Sequence, residues 1–151
     1  MTPERFRLQT VLDVKERLEE VQQRELAALA QQRQLAEEAL RLLAQQSDEQ
    51  QAALAERVSG GRLDLSDVQA ALLYIEAVRA SIAAQRDRAG ELELKVRESR
   101  ERLAGIARER HMLELLRDQH HAAARAAADQ ADQRAADELV SQRFARRAWE
   151  V

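Results

Sequence analysis

One uninterrupted 3.5-residue repeat in the second half of the chain constrains its fold more than any other feature. Val68, Ala71, Ile75, Val78, Ile82, Gln85, Ala89, Leu92, Val96, Ser99, Leu103, Ile106, Arg110 and Leu113 follow one another in steps of three and four. That spacing is the a/d seam of a coiled coil. A stripe so narrow cannot be buried by its own helix, so the helix must lie against another. The stretch before the only glycine pair, Gly60-Gly61, supplies a partner from the same chain. The pattern predicts an all-α fold, an antiparallel two-helix coiled-coil hairpin with a longer second helix.

Composition supports this where it bears on the core. Aromatic residues make up 3% of the 151 residues, charged residues 34%, and about a fifth are alanine, which inflates the 45% hydrophobic fraction. Such a chain lacks the bulk for a globular core and fits a long helix or coiled coil. The predicted organisation is a single hairpin over residues 1–151, with helix one at about 3–58, a turn at 59–66 and helix two at about 67–147. At ~1.5 Å per residue the helices would be roughly 80 Å and 120 Å long.

Local signals place the ends. Thr2 is the expected N-cap of helix one, with Pro3 in its first turn. Gly60 or Gly61 can take the left-handed conformation that ends it, and Ser66 with Gln69 forms a capping box for helix two. The seam of helix one reads Val11, Val14, Leu18, Val21, then resumes one position later as Leu26, Leu29, Arg33, Ala36, Leu40, Leu43. Such a slip is a stutter, which locally unwinds a supercoil. Towards the turn the seam becomes polar at Ser47 and Gln50 before Leu54 and Val58, which predicts a looser tip.

Folding about the turn leaves everything past His120 without an intramolecular partner. This overhang carries Ala122-Ala123-Ala124-Arg125-Ala126-Ala127-Ala128 and ends in Glu138-Leu139-Val140-Ser141-Gln142-Arg143-Phe144-Ala145-Arg146-Arg147. Alanine has the highest helix propensity, so the segment can stay helical with little to bury. Composition alone describes a solvated, fraying extension. Leu139, Val140, Phe144 and Trp149 are more apolar bulk than such a tail needs, and they favour a probe for a narrow hole or groove.

Several function classes are excluded or disfavoured. A net charge of −3, with Arg and Glu interleaved, argues against nucleic-acid binding. Without cysteine there is no thiol or disulfide chemistry. The opening residues contain no apolar core of a signal peptide, and no stretch approaches a membrane span of roughly 20 apolar residues. His111, His120 and His121 lack an i, i+4 partner, so neither a metal site nor another cofactor is expected. Carboxylate pairs such as Glu19-Glu20 have no enclosed pocket to tune them in a two-helix shaft. No phosphate-binding glycine motif occurs, and no enzyme is expected.

The two ends of the chain carry a resemblance. Phe6-Arg7-Leu8-Gln9-Thr10-Val11-Leu12-Asp13 resembles the opening of the FliJ family of flagellar export proteins, and Asp137 to Arg147 is similar to its C-terminal signature. The resemblance implies a cytoplasmic part of the flagellar type III export apparatus, held at the inner face of the membrane through that apparatus. It implies an antiparallel coiled coil similar to the central stalk of rotary ATP synthases, inserted into the hexameric export ATPase. It also implies contact with the cytoplasmic linker of the export gate's large membrane protein, and escort of empty export chaperones. By position, Phe6, Leu8, Leu12, Leu139, Arg143, Phe144, Arg146 and Arg147 would face the ATPase. Tyr74, Val78, Ser81 and Gln85 would face the gate, with Ser81 and Gln85 atypical for the family.

The residues keep alternatives open. Arg146 and Arg147 also complement the dipole of a helix C-terminus, and Tyr74 also fits a place beside the seam. The stalk of a non-flagellar secretion system, or another coiled-coil interaction protein, would show the same periodicity. A rod turning in a ring of six must meet different residues in each subunit. Interleaved charge with few aromatics suits such a slippery contact better than fixed hot-spot pockets do.

Overall fold

The structure, a computed structural model, describes residues 5–61 and 64–150. Two α-helices pack against each other, α1 (Gln9–Ser59) and the longer α2 (Leu65–Trp149), and all regular structure among the described residues is helical. The chain divides into two compact units, Glu20–Ala104 and Met1–Glu19 with Gly105–Val151. Each unit takes a segment from both helices.

Within Glu20–Ala104 the helices run antiparallel, with Gln22 meeting Ser99 and Leu54 beside Leu72 and Ile75. Burial on α2 follows the predicted register, falling on Val68, Ala71, Ile75, Val78, Ile82, Gln85, Ala89, Leu92, Val96 and Ser99, while the positions between them are exposed. On α1 it falls on Gln22, Leu26, Leu29, Arg33, Ala36, Leu40, Leu43, Ser47 and Leu54, with a few flanking positions half-buried. Burying a side chain such as Val96 contributes roughly 1.5–3 kcal/mol. Val58, read as a seam residue, is exposed because the last layer before the turn is formed by Leu54. Gln50 is exposed as well, and Ser47 is buried, with its hydroxyl accepting from Gln51 Nε2 at 3.3 Å.

In the other unit Phe6 faces His120 and Lys15 pairs with Glu109, again antiparallel. Here α1 overturns an expectation. Val11, Val14 and Leu18 are exposed, as is Val21 in the first unit, and the inward positions are Leu12, Lys15 and Glu19, followed in the first unit by Gln22. Counted back from Leu26 in steps of four and three, these continue the downstream repeat, so α1 contains no stutter. A slip would have buried more valine, but it would have broken the regular packing of α1 on α2. The polar residues that enter the seam instead find partners across it.

The helix ends also differ from expectation. Thr2, Pro3, Arg62 and Leu63 lie outside the described residues, so the Thr2 cap and the Pro3 first turn do too. α1 begins at Gln9 rather than near residue 3, after a turn in which Gln9 N–H donates to Phe6 C=O at 3.1 Å. That turn lets Phe6 lie against the His120 ring, 5.7 Å away between centroids. Gly61, with φ of 69°, takes the left-handed conformation after α1. The first turn of α2 closes on Asp64, whose C=O accepts from Asp67 and Val68 N–H at 3.1 and 3.3 Å. Ser66 therefore lies inside the helix, and its hydroxyl donates to the Asp64 carboxylate at 3.1 Å instead of closing a box with Gln69.

Candidate protein-binding surface

The unit that contains the N-terminal turn carries a cluster of charged residues on its seam. The Arg110 guanidinium sits on the seam, where Nε donates to Glu19 and Nη1 donates to Glu114 Oε1 at 2.7 Å. The hydrogen bond to Glu19, and then that to Glu114, raise its pKa above the usual arginine value. Lys15 and Glu109 add a more exposed ion pair beside it. Such pairs add little stability at a surface, but they penalise any register that separates them.

Past this clasp α2 continues alone. His120, half-buried under Phe6, and Ala124 are the last positions with reduced exposure, and every described residue from Arg125 onward is exposed. The helix nevertheless runs to Trp149. Its bulky residues stand out from it, with Phe144 at 68% and Trp149 at 90% exposure. Two faces can be distinguished. Val140, Arg143, Phe144 and Arg147 line one, and Gln142, Ala145, Arg146, Trp149 and Glu150 line the other. Each mixes an aromatic ring with arginine, a combination enriched where proteins dock.

The residues expected to face an ATPase are thus spread along the unit. Arg143, Phe144 and Arg147 share one face of the overhang, Arg146 is on the other, and Leu139 is exposed nearby. Phe6 is level with His120, about 28 Å along the helix axis from Leu139. Leu8 is exposed beside it, whereas Leu12 is fully buried (0%) in the seam. Among the residues expected to face the gate, Tyr74 and Ser81 are exposed, Gln85 is half-buried and Val78 is in the core. Their spacing of four, three and four keeps them on one side of α2, so Tyr74 and Ser81 flank the seam that Val78 and Gln85 occupy.

One surface is hidden in the hydrophobic pattern because its residues are individually suited to the core. Val11, Val14 and Leu18 form an exposed apolar stripe on α1, about a quarter-turn from the buried positions. The signal that could have found it is the register of Leu26 to Leu43 extended backwards. That extension places Glu19 and Gln22 opposite Arg110 and Ser99, partners whose chemistry matches.

Among the described residues no group of three or more His, Cys, Asp or Glu is placed to hold a metal, and no helix is long and apolar enough to cross a membrane. The arrangement is that of an all-helical protein whose described surfaces are exposed and charge-rich, with the last part of α2 unpaired. The family model described as Flagellar FliJ protein matches residues 4–148, and the chain belongs to that family. It is therefore a protein of flagellar biogenesis and export, in a family of non-catalytic components. Neither the curated proteins nor the solved structures returned a match.

Proposed function

We propose that the chain is a stalk for the hexameric export ATPase, with the unpaired part of α2 as the element that enters the ring. The observation that carries this reading is a helix continued by some 25 residues beyond its partner, exposed along its length and bearing Leu139, Val140, Arg143, Phe144, Arg146 and Arg147. A single helix is about 10–12 Å across with its side chains, slim enough for the lumen of a protein ring. The arginines give it charges that acidic loops can meet in any of six orientations. Phe6 and Leu8, level with His120, would meet the rim.

In this reading Tyr74 and Ser81 offer the exposed edge to the cytoplasmic linker of the gate's large membrane protein, and the flanks of the helix pair escort export chaperones. The chain acts at the cytoplasmic face of the membrane through these contacts, without entering the bilayer. The test is hydrolysis by the purified export ATPase with the full chain and with a chain lacking residues 137–151. Stimulation should be lost on truncation, while helicity per residue and the unfolding midpoint stay unchanged, because none of the described residues removed packs on α1. Full stimulation by the truncated chain would overturn the assignment. A virulence-type secretion ATPase, included for comparison, should respond less than the flagellar enzyme.

A further inference from the structure

We propose that the unpaired stretch of α2 is also a homotypic docking surface, on which a second copy of the chain pairs antiparallel over residues 125–150. The face that carries Trp149 points to this pairing independently of any contact with an ATPase. Ala128, Ala131, Ala135, Leu139, Gln142, Arg146 and Trp149 are spaced by three or four residues and so lie within one stripe of the helix. Its first half is all alanine and its second half is bulky. A parallel partner would set alanine against alanine at one end and crowd two Trp149 side chains together at the other. An antiparallel partner sets each large residue against a small one, Trp149 over Ala128 and Gln142 over Ala135, with Leu139 beside the two-fold axis.

The flanking charges select the same arrangement and register. Arg125, Asp132, Arg143 and Glu150 lie on one side of this stripe at about 100° per residue. In antiparallel pairing that side meets its own counterpart. With Trp149 level with Ala128, Asp132 stands opposite Arg143 of the second copy and Arg125 opposite Glu150, each contact occurring twice. The Arg146 stem crosses Ala131 and brings its guanidinium within reach of the second copy's Asp129. Glu138 meets its own copy near the axis, the one like-charge contact in the arrangement. None of these acidic or basic side chains past Arg125 has an ion-pair partner within the chain among the described residues. Alanine lets the backbones approach closely, and about 25 residues of overlap span roughly 37 Å. The apolar content is low, so the pairing is a concentration-dependent equilibrium rather than an obligate dimer.

Sedimentation equilibrium of the full chain tests this. The average mass should climb from 17.2 kDa towards twice that value with concentration. Asp132→Arg and Arg143→Asp should each move the transition to at least about tenfold higher concentration, since each creates two like-charge contacts per dimer. An equimolar mixture of the two variants should associate as well as the parent, because every contact is then complementary, and so should the double variant. Glu138→Gln should tighten the pairing. The chain has no native cysteine, so cysteines can report its direction. Glu138→Cys should oxidise to a disulfide dimer, and Ala128→Cys should cross-link to Trp149→Cys but not to itself. A single-chain mass up to about a millimolar, association indifferent to both charge reversals, or Ala128→Cys cross-linking to itself would each overturn the proposal.

Discussion

The polar layer formed by Gln22 and Ser99 permits a prediction that separates the observed register from the one a reader of the sequence would choose. Ser99 is 1% exposed and Gln22 8%, and Gln22 Nε2 donates to Ser99 Oγ at 2.7 Å. Ser99→Ala leaves a buried amide group without that acceptor, a desolvation cost of about 1–3 kcal/mol. Gln22→Leu leaves the Ser99 hydroxyl without its donor, and the apolar area gained by leucine offsets part of the loss. The double variant has no unpaired polar group and an apolar layer, so it should be more stable than the sum of the single effects by about 1–2 kcal/mol. In a chain of this length that coupling amounts to roughly 2–8 °C in melting temperature. Urea unfolding followed by far-UV circular dichroism on the four proteins completes the cycle. If Val21 occupied the seam instead, Gln22 would be solvated and the two effects would add. Additivity to within about 0.3 kcal/mol would therefore refute the register.

Further expectations can be checked on the same instruments. Val14→Asp and Val21→Asp should melt within a few degrees of the parent, whereas Ile75→Asp and Val96→Asp should each lose at least ~1 kcal/mol through a buried unpaired charge. Gly90→Ala should stabilise by about 0.5–1 kcal/mol, since it lies in mid-helix and an added Cβ there meets nothing within 4 Å. Gly61→Ala should cost about 1 kcal/mol, because φ is 69° at that position. Arg110→Met should lower the melting temperature by leaving Glu19 and Glu114 without their shared cation, and adding Glu19→Met should recover part of the loss.

The second helix could be read almost residue by residue, because from Val68 to Leu113 its apolar positions repeat without a competing stripe. The first helix carried two stripes in its opening turns, and hydrophobicity alone favours the wrong one. Val11, Val14, Leu18 and Val21 are individually better core residues than Lys15, Glu19 and Gln22. What decides the register is pairwise. Glu19 is answered by Arg110, Gln22 by Ser99 and Lys15 by Glu109, and the repeat continues unbroken into Leu26. A one-dimensional pattern does not show such cross-helix partners until the antiparallel alignment is fixed. The start of α1 is not fixed locally either. The turn before α1 carries Phe6 onto His120, a contact some 110 residues apart in sequence that no local signal encodes. The overhang was legible from helix lengths alone. Its separation into a Phe144 face and a Trp149 face follows from helical geometry once Arg125 to Trp149 is known to be one continuous helix.

The proposed stalk role requires the C-terminal arm of α2 to be the part that engages the export ATPase. A photo-crosslinking amino acid placed at Phe144, and separately at Ser66 beside the turn, tests this directly in a mixture with the assembled ATPase. Strong adducts from position 144 and none from position 66 are predicted. Adducts from position 66 alone would mean that the turn end enters the ring, and would contradict the assignment.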